Sequence, residues 1–507
     1  MAGKPKFFGR PSNAEITSPP NLTAIIENMA GLRFLDIARP FVSWIPEVEL
    51  PYENWGFDEK LIYSFFTAAI YLVLSLPIYG VKSADVVDPV PHLRAALGSE
   101  KGTLLELGLL PVVTSAFILQ LLAGWKVFKV NFDLVSDRIL FQTLQKITSV
   151  VISIVYAVLL TFCDYFTPGV STDNVLWAQF LIILQIVVVN FLVTLLVEVI
   201  DKDYGFSSGA LLLLAVYSAT NFVFGTIGLS TVNTARSNES IGALIQLFRN
   251  LSSKPVGVAI YDSFFRVNLP NLTQFYLGIA IIFVCLFLNN ARYEVPIKPN
   301  KVRAMASAYP IKLLFNGSLP LLYTWTILYN LNLIGFFVFE LTNFTLLGSF
   351  KVDPFGNNYY EITSGLLYLL TPNFNAEAGL LSNVAKPFVF IAFYVGVSTF
   401  FAKSWSSING SSGKDIAKFF KAQGISLLGK RDASVSKEFN TLVPVASASG
   451  AVLLSLPVAV AELLGGSGIP TSIGIGLLSG LAILETVLQE WQQSGGASQF
   501  SQYFQTS

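Results

Sequence analysis

Charge, cysteine and histidine are all scarce in this 507-residue sequence. Charged residues make up 13% of it, whereas a soluble domain carries roughly 25%. Two cysteines, Cys163 and Cys285, and one histidine, His92, exclude a disulfide framework, a thiolate metal site and a polyhistidine metal centre. The 32 basic and 32 acidic side chains cancel, so net charge favours neither nucleic acid nor an acidic partner. A soluble enzyme, a secreted scaffold and a disordered protein are therefore excluded.

Apolar residues make up 53% of the chain, and its mean hydropathy is +0.60. A bilayer core is crossed by about 20 apolar residues, and ten runs almost free of charge approach or exceed that length. They cover residues 62–81, 107–125, 147–163, 174–197, 204–235, 267–291, 313–339, 387–402, 439–461 and 463–486. The eighth run is short, and the flanking Lys386 and Lys403 are expected to extend their charged ends towards water. The first fifty residues contain no signal-peptide core, so run 62–81 is expected to act as the first, uncleaved targeting span.

The charges between the runs predict the orientation in the membrane. An even number of spans places both termini on one side. The connections at 292–312 and 403–438 carry five and seven basic residues, whereas the connection at 340–361 carries one lysine and three acids. Because short cytosolic loops are rich in lysine and arginine, the two basic connections and both termini are predicted to be cytosolic.

Ionisable side chains are almost absent inside the ten runs, and Glu106, Glu198 and Glu462 lie at their ends. Ion-coupled transporters rely on intramembrane carboxylates or bases, so the sequence does not favour that class. It also contains no nucleotide-binding loop and no recognisable set of catalytic residues. The sequence therefore predicts a bundle with an apolar interior, and a partner must supply the energy for any transport.

Two segments outside the runs have a distinct composition. Residues 31–40 alternate apolar and charged side chains, as an interfacial amphipathic helix would; a short helix packed against the bundle explains the pattern equally well. Residues 82–106 connect the first two runs and are too polar to face lipid. They form either a surface loop or a re-entrant element, because irregular backbone at membrane depth must be buried in protein or line a watery cavity.

Short motifs run through the sequence in a fixed order. They are GTLLELG (102–108), PVVTS (111–115), QLLAG (120–124), DR (137–138), LFQ (140–142), QK (145–146), LPNL (269–272), EVPIK (294–298), YPIKL (309–313), GSSGKDIAK (410–418) and GKR (429–431). Together they resemble the SecY family, which includes the α subunit of the eukaryotic Sec protein translocon. EVIDK (198–202), FSSG (206–209) and QQSGG (492–496) are more similar to the second, auxiliary fungal form of that subunit than to the main one. Residues 1–28 have no counterpart in the family, so they are either a true tail or the product of an upstream start, with Met29 where such chains usually begin.

The resemblance implies an all-α fold of ten transmembrane helices in two pseudo-symmetric five-helix halves, packed like a clamshell. The channel between the halves would open across the membrane and sideways into lipid. Position by position, the hydrophobic constriction of the family falls on Leu109, Val113, Ala210, Leu214, Leu322 and Ile475. Such a ring seals by dewetting and yields to a passing chain because nothing in it binds. Ala210 is smaller than the usual branched residue, which predicts a looser seal.

The resemblance also assigns roles to polar residues beside the constriction. Residues 82–106 become the plug segment, with a short helix expected over 88–98. Its candidate residues are Asp88, Pro89, His92, Arg94 and Gly98. The lateral gate between the halves would carry Thr114 and Asn330, with Tyr156 as a different donor at the third polar position of the family.

The basic connections gain a role as well, since they match the loops with which the family contacts the ribosome at its exit tunnel. The candidate residues for binding ribosomal RNA are Lys298, Lys301, Arg303, Lys430 and Arg431. Their charges also explain orientation alone by the positive-inside rule; the motif arginines Arg303 and Arg431 favour the functional interpretation. The resemblance further implies small single-span β and γ subunits, nascent chains and signal sequences as partners, and no cofactor.

The sequence as a whole divides into predicted parts. They are an extension expected to be disordered at 1–30, a cytosolic amphipathic segment at 31–60, an N-terminal half at 61–235, a luminal loop at 236–266, a C-terminal half at 267–490 and a cytosolic tail at 491–507. The predicted function is that of a protein-conducting channel of the endoplasmic reticulum membrane. A membrane ribosome receptor or scaffold is an alternative, and a solute transporter is a third that lacks the expected charged site at mid-membrane.

Overall fold

The computed structural model describes most of the chain. The described residues are 34–53, 55–82, 86–125, 127, 130, 132, 134–166, 175–233, 238–266, 269–299, 307–352, 359–375, 379–408, 420, 425–427 and 432–493. The predicted extension at 1–30 and nearly all of the predicted tail at 491–507 lie outside them.

Helices dominate the described residues. They are α1 (Phe57–Val73), α2 (Leu110–Gly124), α3 (Val135–Phe162), α4 (Val175–Val199), α5 (Gly209–Ile227), α6 (Ala243–Ser253), α7 (Val256–Phe264), α8 (Leu272–Asn290), α9 (Leu319–Thr342), α10 (Leu366–Leu370), α11 (Leu380–Ile408), α12 (Asp432–Ala461) and α13 (Ile469–Gln493). In this part of the chain eight helices, α3 to α5, α8, α9 and α11 to α13, are long and apolar enough to cross a membrane. With the shorter α1 and α2, of 17 and 15 residues, they account for the ten predicted spans.

The strands form three small antiparallel sheets in the connections between the helices. They are β1 (Thr231–Asn233), β2 (Asn238–Ser240), β3 (Arg292–Pro299), β4 (Ser307–Lys312), β5 (Ser349–Val352), β6 (Tyr360–Ser364) and β7 (Ile425–Leu427). β1 pairs with β2, β5 pairs with β6, and β3 pairs with both β4 and β7.

The spans divide into two five-helix halves. The first contains α1 to α5, and the second contains α8, α9 and α11 to α13, with α6 and α7 in the connection between them. The halves meet where α5 packs against α13 and where α2 contacts α9. At the first contact the Ser218 hydroxyl donates to the Ser472 carbonyl at 2.7 Å. A cleft between α2 and α9 would therefore separate the halves without breaking the α5–α13 contact.

The first span ends earlier than its apolar run predicts. The run extends to residue 81, but α1 ends at Val73. Pro77 lies beyond that end and cannot donate to a helical ladder; it forms a β-bridge opposite Thr103 in the plug segment. After α1 the chain thus turns beside the plug segment, where Ile78 and Val81 are buried, whereas Leu76 and Tyr79 are 56% and 77% exposed.

The eighth span is longer than predicted and contains both lysines that were expected to bound it. Lys403 is exposed, but the expectation that Lys386 extends towards water is wrong. The Lys386 ammonium lies 3.6 Å from the centroid of the Tyr368 ring and donates to the Asn373 carbonyl. An aromatic face and a carbonyl replace the water that a buried cation would otherwise lose.

The interior also contains a cluster of charges that the apolar runs do not predict. Lys146, Glu198 and Lys202 are each less than 10% exposed. Glu198 Oε1 lies 2.7 Å from Lys146 Nζ and 2.9 Å from Lys202 Nζ, and Lys202 also contacts Glu47 at 2.7 Å. Buried charges are tolerated when they are paired in this way. The cluster attaches the segment before α1 to the first half.

The N-terminal part of the described chain packs against the bundle. Phe34–Phe41 forms a 3₁₀ helix, and its Leu35 and Ala38 side chains are buried in a cluster with Leu119 of α2 and Phe141 of α3. Of the two interpretations of residues 31–40, this contact supports a short helix against the bundle over one that lies free at the membrane surface.

Candidate functional site

The six residues of the predicted constriction belong to one apolar cluster. Leu109, Val113, Leu214, Leu322 and Ile475 are each at most 3% exposed, and the partly buried Ala210 packs against the same cluster. They come from the start of α2, from α5, from α9 and from α13, so both halves contribute. The same cluster contains most of the other buried residues of the spans, so the six are core residues contributed by both halves.

The plug segment folds into the bundle, as a re-entrant element would. Val86, Leu93, Leu97 and Leu105 are each at most 5% exposed. The predicted helix over 88–98 is wrong, because the segment contains a single 3₁₀ turn at Arg94–Ala96. Before that turn Asp88 forms a β-bridge with Tyr359, and its carbonyl accepts a hydrogen bond from the backbone of β6 at 2.8 Å. Residues 91–93 form a further turn.

A buried ion network fixes the shape of the plug segment. The Arg94 guanidinium contacts both carboxylate oxygens of Asp88, at 2.6 and 3.0 Å, and Glu106 Oε1 at 2.6 Å. The Tyr165 hydroxyl, just after α3, donates to the same Glu106 oxygen at 2.8 Å, and the Gly102 N–H donates to the other oxygen at 2.6 Å. Burial raises the pKa of Glu106, and the charge of Arg94 opposes that shift. One arginine thus ties the two ends of the segment together.

Side chains of the spans hold the backbone of the plug segment. Each donates one hydrogen bond to a carbonyl group: Tyr71 to Gly98 at 2.8 Å, Tyr217 to Ser99 at 3.2 Å, Trp325 to Leu93 at 2.9 Å and Ser472 to Ala95 at 2.9 Å. The donors lie on α1, α5, α9 and α13. Both halves therefore hold the segment, and a separation of the halves would break some of these bonds.

The positions of three donors place the plug segment relative to the constriction. Each lies three residues from a constriction residue of the same helix: Tyr217 from Leu214, Trp325 from Leu322 and Ser472 from Ile475. Three residues correspond to about 4.5 Å along a helix. Because α13 runs opposite to α5 and α9, all three donors lie on the same side of the constriction. The plug segment thus lies about one helical turn beneath it.

Two further contacts join the plug segment to the second half. Gly468, in the turn between α12 and α13, has φ +84°, and a Cβ atom there would lie 2.0 Å from the His92 carbonyl oxygen, so only glycine fits. The His92 ring contacts the Asn373 amide in the connection before α11. Burial lowers the pKa of His92 to about 4; the charge of Lys386 also lowers it, and Asp88 opposes the shift. His92 is therefore neutral near pH 7.

The three predicted gate residues form one hydrogen-bonded group where α2, α3 and α9 meet. The Asn330 amide donates to the Thr114 hydroxyl at 3.1 Å, and the Tyr156 hydroxyl donates to the Asn330 carbonyl oxygen. A neutral hydrogen bond contributes about 1 kcal/mol net. These two bonds are part of a larger contact between the halves, in which the Phe117 ring of α2 also packs against Tyr323 of α9 and Phe401 of α11, with centroids 5.2 Å apart in each pair.

The two basic connections are joined in one sheet at the other end of the bundle. Lys298 lies in β3 opposite Ser426 of β7, whereas Lys301, Arg303, Lys430 and Arg431 lie outside the described residues. Behind the sheet the Phe420 ring packs edge-on against Tyr309 and Phe439, with centroids 5.0 and 5.2 Å apart. This shared core holds the two basic connections in a fixed relation to each other and to α12.

The sequence did not identify the donors that hold the plug segment. Tyr71, Tyr217, Trp325 and Ser472 lie in apolar runs, where an aromatic or hydroxyl side chain is typical of helix packing. The available signal was chemical, because a buried tyrosine or tryptophan usually donates its polar hydrogen to a partner. Tyr165 was missed for a different reason: its partner Glu106 is 59 residues away in sequence.

These features define a class of protein: a ten-span helical bundle of two halves, with a re-entrant segment buried between them. The SecY family model matches residues 103–489, and the chain belongs to this family. The "Sec sixty-one protein homolog" of Saccharomyces cerevisiae is 38% identical over 490 residues, covering 94% of this chain and 98% of the relative. A solved structure described as "Cryo-EM structure of idle yeast Ssh1 complex bound to the yeast 80S ribosome" matches with a TM-score of 0.73 and 37% identity, covering 94% of this chain and 98% of that chain. The predicted ten-helix fold is confirmed.

The comparisons also bear on which form of the α subunit the chain resembles. The "Protein transport protein SEC61" of the same yeast is 34% identical over 451 residues, covering 88% of this chain and 93% of the relative. The chain is thus more similar to the second homologue of that yeast than to its SEC61 protein. This confirms the predicted resemblance to the auxiliary fungal form.

Proposed function

We propose that this chain is the channel subunit through which secretory proteins cross, and membrane proteins enter, the endoplasmic reticulum membrane during translation. The observation that carries the proposal is the plug segment, held about one turn beneath an apolar constriction by donors from both halves. A chain that parts the halves would release these donors and open the path that the segment blocks. The functions of the relatives, named for protein transport, support the same proposal.

The gate explains how an apolar segment would leave the channel sideways. The polar part of the contact is the two neutral hydrogen bonds of Thr114, Tyr156 and Asn330, which contribute about 1 kcal/mol each. The apolar part is the packing of Phe117 against the second half. Lipid is the better solvent for a signal sequence, because burying one large apolar side chain contributes about 1.5–3 kcal/mol. A dozen such side chains outweigh the gate contacts several times over.

The basic connections supply the proposed docking surface for the ribosome. Arg303 falls in sequence between β3 and β4, and Arg431 falls between β7 and α12; both lie outside the described residues, and one sheet joins the strands that flank them. Phosphate-rich RNA is bound by such point charges with an affinity that falls as salt rises. The proposal places both termini and this sheet in the cytosol and includes small single-span β and γ subunits as partners.

Crosslinking of a stalled nascent chain tests the proposal directly. A photoreactive amino acid at Leu214, which is 2% exposed in the constriction, should crosslink to a translocating secretory chain in microsomes. The control is the same probe at Val223, two and a half turns further along α5 and 56% exposed, which should react with lipid instead. Crosslinks at neither position, with ribosomes still bound, would favour the ribosome receptor whose pore is unused.

A further inference from the structure

The connection between α5 and α8 forms a hairpin of two helices whose polar groups face inwards. Gln246 accepts hydrogen bonds from the backbone and the hydroxyl of Ser240, both at 2.8 Å, and donates to Asn250 at 2.9 Å. Asn250 in turn donates to the Ser263 hydroxyl of α7 at 3.2 Å. All four side chains are buried. The polar groups that a helix in water would expose are thus satisfied inside this α6–α7 hairpin.

Most of the large exposed side chains of the hairpin are apolar, and the charged Arg249 and Lys254 are exposed beside them. The apolar side chains of its outer face include Phe248 and Leu251 on α6, Val258, Ile260 and Tyr261 on α7, and Phe265 just after it, with exposures from 38% to 68%. α7 turns only its small Ala259 and Ser263 inwards, at 0% and 3% exposure. This distribution reverses that of a helix on a soluble protein, where the apolar face is the buried one. It is the distribution expected where the outer medium is itself apolar.

The hairpin is continuous with the lipid-facing surface of a span. The Phe264 ring at the end of α7 stacks on Tyr276 of α8, with centroids 5.8 Å apart and an interplanar angle of 8°. Tyr276 is 55% exposed and lies four residues into α8, which is about 6 Å from the start of the span. Further along α8, Phe283 and Phe287 are 68% and 77% exposed. The end of α7 therefore lies at the depth where a span enters the bilayer.

The hairpin cannot turn its outer face away from that position. The Arg266 guanidinium, between α7 and α8, donates to the carbonyls of Ser240 and Ile241 at 2.8 and 2.7 Å, and to that of Pro270 at 2.9 Å. These bonds tie the strand before the hairpin to the residues before α8. The orientation of the apolar face is thereby fixed relative to the spans.

We propose that the α6–α7 hairpin is a membrane-interface anchor, whose outer face lies in the boundary between head groups and acyl chains. It would do so at the end of the bundle opposite the β3–β4–β7 sheet, because α8 separates the two. The driving force is burial of apolar surface. The Lys254 ammonium of the hairpin contacts Asp262 at 2.7 Å, so binding does not need anionic lipid.

Spin labels at the outer face test this proposal in the complete complex. The chain, purified with its own subunits, is placed in nanodiscs of phosphatidylcholine after replacement of Cys163 and Cys285. Single cysteines at Tyr261 and Phe265 then carry a nitroxide, and power saturation compares the access of oxygen with that of a water-soluble nickel chelate. Label at the exposed Val223 of α5 gives the lipid reference, and label at the exposed Asn238 of β2 gives the aqueous one.

The proposal predicts that oxygen has greater access than nickel at Tyr261 and Phe265, as at Val223, and that the order reverses at Asn238. Greater access of nickel at both hairpin positions would overturn the proposal and place the face in water. Low access of both reagents would also overturn it, because the face would then be covered by a subunit or a second copy of the chain. A label at Ile260 replaces Tyr261 if that variant fails to assemble. Ribosome binding and nascent-chain crosslinking do not depend on the outcome.

Discussion

Replacement of Arg94 by leucine is expected to release the plug segment from its closed position. The change removes the guanidinium that contacts Asp88 and Glu106 at 2.6 Å each, while the shorter leucine side chain fills only the space of the arginine stem. Both carboxylates are at most 4% exposed. They would remain buried without their cation as long as the segment stays beneath the constriction.

The size of the effect follows from this burial. Removal of one partner from a buried ion pair costs about 3–5 kcal/mol. Glu106 keeps its bonds from Tyr165 and Gly102, which favours the lower end of that range. Since 1.4 kcal/mol is a factor of ten, the ratio of closed to displaced plug should fall by roughly a hundredfold or more. A channel that is closed almost all the time would then leak measurably.

The assay is ion conductance of the complex reconstituted into planar bilayers without ribosomes. The matched control is Arg39→Leu, because Arg39 is a largely exposed arginine, 3.3 Å from Asp36, whose pair contributes little. A double variant, Arg94→Leu with Glu106→Gln, removes one orphaned charge and should recover part of the seal. If Arg94→Leu leaks no more than Arg39→Leu, or if the double variant recovers nothing, the buried charges do not hold the plug segment.

Three further outcomes are expected. Arg303→Glu with Arg431→Glu should weaken ribosome co-sedimentation strongly at low salt without loss of insertion; unchanged binding across a salt titration would leave these charges with a role in orientation only. Protease added to sealed microsomes should cut near Lys421 and spare Lys351, and the reverse pattern would invert the topology. In a variant that lacks the plug residues 88–98, Ala210→Ile should reduce the ion leak by refilling the constriction; an unchanged leak would remove Ala210 from it.

Hydropathy was sufficient to predict the number of spans but not their ends. An apolar run reports burial, and burial does not require a helix: residues after Val73 are apolar but pair as extended backbone at Pro77. A charge beside an apolar run usually indicates the end of a span, and Lys386 was interpreted in this way. The lysine is instead buried within α11. The Tyr368 ring and the Asn373 carbonyl that receive this lysine are brought near it only by the fold. Local sequence contains neither partner in a recognisable pattern.

The same reasoning explains why the sequence predicted the constriction and gate residues but not the donors that bind the plug segment. The constriction and the gate depend on residue types at aligned positions, so motif order was sufficient to select Leu322 and Asn330. The hydrogen bonds from the spans to the plug segment are accepted instead by its backbone carbonyls, which have no sequence signal of their own. Its donors are single polar atoms within otherwise apolar helices, such as the Trp325 indole N–H and the Ser472 hydroxyl. A carbonyl accepts from any donor in reach, so plug residues that contact the spans only through a carbonyl can vary, whereas Arg94 and its two carboxylates cannot. The position of the plug segment thus depends both on its own ion network and on donors from the two halves, and we expect a movement between the halves to loosen it.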